Sequence, residues 1–178
     1  LRELKTSIDL AFISDDVQHL IAQSQDGIAR VAKIIQDLKD FARSDNSPSW
    51  VKADLHACLD SALNIAANEI KYKADVVREY GSLPEIECLP AQLGQVFLNI
   101  LVNAAQAMPS DGRRGTISIR SGCADNEQAW VEISDTGCGM EAAQIKRIFD
   151  PFYTTKPVGV GTGLGLSISY GIIQRHGG

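Results

Sequence analysis

The stretch that decides the fold is Gln95-Val-Phe-Leu-Asn99-Ile-Leu-Val-Asn103-Ala-Ala-Gln106-Ala-Met108. Its apolar residues predict a helix over about 90–108, and Asn99, Asn103 and Gln106 fall on one face of it, at i, i+4 and i+7. Asparagine is a poor helix former and is costly to bury without hydrogen bonds. The polar stripe therefore predicts a ligand, a metal ion or a hydrogen-bond network, unless that face is simply exposed.

A second polar segment, Asp135-Thr-Gly137-Cys-Gly139-Met140, directly follows a strand-like run. A carboxylate can only accept hydrogen bonds, which suits the exocyclic amine of adenine, and the two glycines permit a close approach of the backbone. Asp and Gly are also common in ordinary turns. This segment alone leaves both a nucleotide site and a plain turn open.

Two further segments complete an ordered series. The first combines aromatic anchors, hydroxyls and a cation: Phe149-Asp-Pro-Phe152-Tyr-Thr-Thr155-Lys156. The second is rich in glycine and opens the last predicted helix: Gly159-Val-Gly161-Thr-Gly163-Leu164-Gly165-Leu166. Glycine backbone N–H groups at a helix N-terminus are suited to bind phosphate. The glycine spacing matches neither the P-loop nor the Rossmann dinucleotide loop, which disfavours both.

The pattern around these segments predicts a two-layer α+β sandwich. Strands are predicted at 50–52, 74–80, 85–88, 116–121 and 130–134, and helices at about 54–70, 90–108, 141–148 and 163–176. Clean alternation in 116–121 and 130–134, with a turn at 125–127, indicates a hairpin. Helices and antiparallel strands in separate runs favour helices on one face of a sheet.

The first part of the chain predicts one long helix over 15–43, with a start at Ser14 and the tail of a preceding helix before it. An apolar heptad stripe runs along it: Val17, Ile21, Ser24, Ile28, Val31, Ile35, Leu38 and Ala42. Such a stripe needs partner helices, so a bundle arm is favoured over a helix packed on its own domain. Residues 44–49 are polar, contain a proline and are predicted to form a linker.

The composition restricts the class of protein. The formal net charge is −5 over 178 residues, which disfavours nonspecific electrostatic binding to nucleic acid. No run approaches the length of a membrane span, so no membrane contact is expected. The four cysteines lie far apart without a CxxC pair, which disfavours a zinc site and favours reduced thiols.

The order of the four segments resembles the catalytic domain of sensor histidine kinases, within the superfamily that includes gyrase and Hsp90. Residues 99–108 resemble the N box, 135–139 the G1 box, 149–156 the F box and 161–165 the G2 box. The end of the long helix, 37–43, resembles the second helix of the family's dimerisation hairpin. The sequences NAAQAM (103–108) and FYTTK (152–156) are similar to those of the nitrogen-regulator branch of sensor kinases.

The resemblance implies a histidine-kinase ATPase-like (Bergerat-type) fold that binds ATP and Mg²⁺. Asn103 would ligate Mg²⁺ and Asp135 would bind the adenine amine, with Asn99, Asn103 and Lys156 as the catalytic set. The remaining nucleotide-binding residues implied are Gln106, Gly137, Gly139, Met140, Thr155, Gly161, Thr162, Gly163, Leu164, Gly165 and Leu166. Phe149 and Phe152 would anchor the lid rather than touch the nucleotide.

The implied reaction transfers the γ-phosphoryl of ATP to a histidine of the dimerisation domain, and from there to an aspartate of a response regulator receiver domain. The resemblance also implies a homodimer formed through the hairpin, and a cytoplasmic location, either free or as part of a membrane-bound sensor. It divides the chain into a partial hairpin (1–43), a linker (44–49) and a catalytic domain (50–178). Gyrase-like ATPases carry a Glu where Asn99 stands, and Asn is a poor base, which favours transfer to protein over hydrolysis.

Two departures from the family pattern set the alternatives. No H-E-x-x-x-P box is present, and His19, His56 and His176 do not fit an acceptor site. The chain is therefore expected to lack the acceptor helix, and also the two strands that usually follow the last helix. A non-catalytic nucleotide sensor or response-regulator docking module, and a gyrase- or Hsp90-type ATPase, remain the alternative functions.

Overall fold

A computed structural model describes residues 10–42, 49–109, 112–124, 128–157 and 161–178. The chain divides into two units, and each is described by itself. One unit comprises Leu1–Ser44 and Thr155–Thr162, and the other comprises Asp45–Thr154 and Gly163–Gly178. Most of the predicted linker, and the predicted turn at 125–127, lie outside the described residues.

The first unit contains one long helix, α1 (Leu10–Ala42). The predicted helix start at Ser14 is wrong, because α1 is already helical at Leu10; no Gly or Pro interrupts 10–14, and Ile13 continues the apolar stripe. Within the stripe, Ser24 is satisfied locally, since its Oγ donates to the Leu20 carbonyl at 2.8 Å. Large apolar side chains along α1 are exposed: Ile13, Val17, Leu20, Ile21, Ile28, Val31 and Ile35.

The second unit alternates strands and helices. In chain order its elements are β1 (Val51–Ala53), α2 (Leu55–Ile70), β2 (Ala74–Tyr80), β3 (Ile86–Cys88), α3 (Pro90–Ala107), β4 (Gly115–Cys123), β5 (Ala129–Asp135), α4 (Ala142–Ile145) and α5 (Gly165–Arg175). The Asp54 side chain caps α2 by accepting the His56 N–H at 2.8 Å. The helix predicted at 141–148 is only the short α4, followed by successive turns.

The strands form two sheets, one pairing β1 with β3 and the other in the order β2-β4-β5. The predicted hairpin is confirmed, because β4 and β5 pair antiparallel from Ile117↔Asp135 to Cys123↔Ala129. The expectation of antiparallel strands does not hold for β2, which runs parallel to β4 from Ala74↔Gly115 to Tyr80↔Ser121. A parallel pair requires a long crossover, and here β3 and α3 lie on the connection.

The hydrophobic core lies where the apolar faces of α2 and α3 meet the inner faces of β2 and β4. Its largest fully buried side chains are Leu59, Cys88, Leu101, Ile117 and Ile119. This arrangement of helices on a mixed sheet is the predicted two-layer α+β sandwich. Among the described residues, no helix combines the length and apolar character required to cross a membrane.

Candidate functional site

The polar stripe of α3 lies on the side of the helix away from its buried apolar residues. Asn99 and Asn103 are half-buried and Gln106 is exposed, whereas Leu101, Ala104 and Ala105 lie in the core. The helix packs against β5 on one side and against α5 on another. The helix therefore contacts both the strand that leads into the G1 segment and the helix that begins at Gly165.

Asn99 connects α3 to the first turn of α5. Its Nδ2 donates to the Gly165 carbonyl at 3.1 Å and to Ser169 Oγ at 3.2 Å. Ser169 Oγ also donates to the Gly165 carbonyl at 2.8 Å, and Gln95 Nε2 donates to Asn99 Oδ1 at 3.3 Å. The Asn99 side chain therefore holds the N-terminal end of α5 in place. Its predicted catalytic role stays a prediction.

The G1 loop is docked on the C-terminal end of α3. The Cys138 N–H donates to the Ala107 carbonyl at 2.9 Å. A Cβ at Gly137 would lie 2.6 Å from that carbonyl oxygen, so only glycine fits there. Gly139 adopts a φ of 69°, which also favours glycine. The two glycines of this box are therefore explained by close approach and by backbone conformation respectively.

Asp135 stands at the end of β5 with its side chain exposed. Its Oδ1 accepts the Gly137 N–H at 2.8 Å, which orients the carboxylate over the turn. In the described part of the chain that is the one hydrogen bond made by its carboxylate. An exposed, oriented acceptor is the geometry that binding an amine requires.

The F box begins as a series of turns. The Arg147 Nε lies 3.3 Å from Asp150 Oδ2, and the Tyr153 N–H donates to the Asp150 carbonyl at 3.1 Å. The Phe149 ring packs on the Tyr170 ring of α5, with centroids 5.1 Å apart. The F-box turns are therefore anchored on the same helix that carries Gly165.

The predicted site residues are divided between the two units. The second unit contains Asn99, Asn103, Gln106, Asp135, Gly137, Gly139, Met140, Gly163, Leu164, Gly165 and Leu166. The first unit contains Thr155, Lys156, Gly161 and Thr162, whose part in a site stays a prediction. Partial burial lowers the pKa of the Lys156 ammonium.

Sequence reasoning missed the contacts of two residues in this region. Ser169 is buried and holds both Asn99 and Gly165, and the signal for it is its position one helical turn after Gly165. Met108 is buried, and its sulfur fills the space that a side chain at Gly115 would need. This contact could not be read from the sequence, because Met108 follows α3 whereas Gly115 begins β4.

Comparison with known proteins decides the family. Residues 88–178 match the family described as histidine kinase-, DNA gyrase B- and HSP90-like ATPase. The chain belongs to this family. Both the predicted resemblance and the predicted fold are thereby confirmed, and the matched region contains all four boxes.

The similar proteins reported below are kinases by name. The signal transduction histidine-protein kinase AtoS of Escherichia coli (strain K12) is 37% identical over 153 residues, covering 85% of this chain and 24% of AtoS. Sporulation kinase E of Bacillus subtilis (strain 168) is 42% identical over 118 residues, covering 65% of this chain and 15% of that protein. The chain thus spans a quarter or less of these relatives. A solved structure, the mycobacterial sensor histidine kinase MprB, has a TM-score of 0.61 and 26% identity, and the match covers 72% of this chain and 81% of that one.

An ATP-binding family implies a metal-bound triphosphate, and the donor set of α3 fits one. The Asn103 side chain offers an amide oxygen, a hard ligand of the kind that Mg²⁺ accepts. Among the described residues, no group of three or more His, Cys, Asp or Glu side chains could hold a metal by itself. A cation here would therefore take most of its ligands from phosphate and water, which is how Mg²⁺ is commonly bound in nucleotide sites.

Proposed function

We propose that this chain is the ATP-binding catalytic portion of a sensor histidine kinase, which transfers the γ-phosphoryl of ATP to a histidine of a dimerisation domain. The observation that carries the proposal is the G1 loop docked on the end of α3, with Asp135 oriented at its edge. The same α3 holds the glycine-containing start of α5 through Asn99. One helix therefore organises both ends of a nucleotide site.

Each group has a distinct task in this proposal. Asp135 accepts the adenine amine, and the G1 glycines let the backbone approach the base. Gly163 and Gly165 present N–H groups to the phosphates at the start of the eleven-residue α5. Mg²⁺ held by Asn103 would neutralise charge on the triphosphate. Lys156, Thr155, Gly161 and Thr162 would contact the phosphates from the F and G2 boxes, with Gln106, Met140, Leu164 and Leu166 lining the site.

Phosphoryl transfer depends mainly on positioning and charge neutralisation, so the chain needs no covalent nucleophile of its own. The gyrase-type alternative requires a base that activates water one turn before the metal ligand. That position is Asn99, an amide whose Nδ2 donates to Gly165 and Ser169. Transfer to a protein histidine is therefore favoured over hydrolysis.

The partners and location of the whole protein follow the same proposal. An exposed apolar stripe along α1 suits a helical dimerisation domain in which two copies associate. The phosphoryl group would pass from the histidine to an aspartate of a response regulator receiver domain. ATP is the phosphoryl donor, so the catalytic portion would work in the cytoplasm.

The test is calorimetric titration with ADP and Mg²⁺ of the parent chain, Asp135→Ala and Asp75→Ala. Losing a charged hydrogen bond to adenine should cost about 2 kcal/mol, roughly thirtyfold in affinity. Asp75 lies on β2 and pairs with Arg114, so its variant removes the same charge outside the site. Equal affinity in all three proteins, or no binding by a folded parent chain, would reject the proposed site.

Transfer is tested separately from binding. The chain is incubated with γ-labelled ATP and a dimerisation hairpin that contains an acceptor histidine. An acid-labile label on the hairpin supports the kinase. Release of inorganic phosphate at the same rate with and without the hairpin would favour an ATPase, and binding without either reaction would favour a sensing or docking module.

A further inference from the structure

Phe152 in the F box has a left-handed backbone. Its φ is 66°, and among the described residues it is the one position other than glycine with a positive φ. A bulky side chain rarely adopts this conformation, because its Cβ then crowds the backbone. Such strain persists only where the surrounding structure requires it, so the contacts of Phe152 should show the reason.

Those contacts are made by the Phe152 backbone. The Phe152 N–H donates to the Gly163 carbonyl at 3.0 Å. Gly163 has a φ of 68°, and a Cβ placed on it would lie 2.6 Å from the Phe152 carbonyl oxygen. The backbones of Phe152 and Gly163 therefore pack directly against each other, and this pair is named the 152–163 clasp.

The Phe152 ring takes little part in the clasp. The residue is 66% exposed, more than the neighbouring Phe149, whose ring packs on Tyr170. Phe149 also attaches the F-box turns to α5, so one side of the clasp is fixed. The other side, Gly163, begins the segment that leads directly into α5 at Gly165.

We propose that Phe152 is a positioning residue for the phosphate-binding end of α5, and that it acts through its left-handed backbone and not through its ring. The inference rests on the proposed function, because Gly163 and Gly165 are there the phosphate-binding glycines. The clasp sets the direction of the Gly163 backbone, and therefore the aim of the N–H groups at the start of α5. The adenine end, at Asp135, lies outside the clasp.

The test separates backbone from ring by comparing Phe152→Asn, Phe152→Gly and Phe152→Val. Asn and Gly accept a left-handed backbone, whereas β-branched Val resists it most strongly. Each protein is titrated with ADP and Mg²⁺ and, separately, with adenosine, which lacks phosphates. Tyr72→Val, at an exposed aromatic outside the site, controls for the introduction of a β-branched residue.

Phe152→Asn and Phe152→Gly should bind ADP within about threefold of the parent, while Phe152→Val should bind it about tenfold more weakly, as the strain of a left-handed β-branched residue implies. Adenosine affinity should stay unchanged in all of them. The inference is overturned if Asn and Gly lose as much ADP affinity as Val, which would assign the role to the ring. It is also overturned if Val matches the parent, or loses adenosine and ADP equally. A parent chain that binds neither ligand would reject the proposed function itself.

Discussion

Asn99 and Gly165 are joined by a hydrogen bond of 3.1 Å from Asn99 Nδ2 to the Gly165 carbonyl, across 66 residues of chain. Ser169 reinforces this connection, because its Oγ donates to the Gly165 carbonyl and accepts from Asn99 Nδ2. A carbonyl with two donors is well satisfied, and the three residues form a small cooperative network. Movement of the Asn-bearing face of α3 is thereby coupled to the N-terminal end of α5.

The network predicts non-additive effects on stability. Asn99→Ala should lower the free energy of unfolding by about 1–2 kcal/mol, and Ser169→Ala by about 1 kcal/mol, because each removes part of a partly buried network. The double variant should lose less than the sum, with a coupling of about 0.5–1 kcal/mol. Urea unfolding of the four proteins measures the cycle. Strictly additive losses would mean that the two side chains act independently.

Substitution by alanine should weaken ADP binding at Gly137 and should stabilise the folded chain at Gly94. At Gly137 a Cβ would meet the Ala107 carbonyl oxygen at 2.6 Å, so Gly137→Ala should push the G1 loop off α3 and weaken ADP binding at least tenfold. At Gly94, inside α3, a Cβ meets nothing within 4 Å. Gly94→Ala should therefore stabilise the chain by about 0.5–1 kcal/mol through helix propensity. Thermal unfolding and calorimetry measure both, and a harmless Gly137→Ala would contradict the docked loop.

Local pattern was sufficient to predict most elements of the second unit. The strand-like run 74–80 predicted β2 to the residue, and the apolar run 90–108 predicted α3 to within one residue at its end. The four boxes were recognised because their order and spacing resemble those of the family, whereas each segment alone also fitted a plainer structural reading. Family membership then followed from their order.

Contacts between distant residues could not be predicted in this way. The parallel pairing of β2 with β4 depends on the crossover through α3, and alternation looks the same in parallel and antiparallel strands. The strained φ of Phe152 follows from its fit against Gly163, and no composition rule predicts a left-handed phenylalanine. The helix start at Ser14 failed because a capping residue is also tolerated inside a helix.

Tyr80 predicts a pH dependence of stability at alkaline pH. Burial, together with the hydrogen bond that its hydroxyl donates to Asp60 Oδ1 at 3.0 Å, raises the pKa of Tyr80 to about 12. In the unfolded chain the phenol ionises near its usual pKa of 10. The folded state therefore holds the proton more tightly, and its stabilisation is complete below pH 10 and is lost as the pH rises from about 10 to about 12.

The measurement compares the parent with Tyr80→Phe across that range. Below pH 10 the variant should be less stable by about 1 kcal/mol, a figure reduced because the hydroxyl is partly solvated. The difference should shrink towards pH 12, since the parent then loses its advantage. The other ionisable groups are the same in both proteins, so their effects on stability cancel in the comparison. A stability gap that stays constant from pH 8 to 12 would contradict the raised pKa.

His176 should stabilise the chain through one specific hydrogen bond. Its Nε2 accepts the Leu89 N–H at 3.1 Å, which assigns the proton to Nδ1, where it is donated to the Ile172 carbonyl at 2.8 Å. Leu89 is buried and directly precedes α3, so its N–H would be left unsatisfied without the imidazole. His176→Asn should lower the free energy of unfolding by about 1–3 kcal/mol, because its side chain is too short to reach Leu89.

His176→Gln is the matched control, since its amide oxygen can occupy the position of Nε2 and accept the same N–H. We expect it to lose less than about 1 kcal/mol and to keep the Leu89 amide protected from hydrogen exchange, whereas His176→Asn should expose that amide. The imidazole ring also lies 4.8 Å from the Trp50 ring, centroid to centroid. Equal losses in the two variants, with Leu89 equally protected, would assign the stabilisation to this ring contact and not to the hydrogen bond.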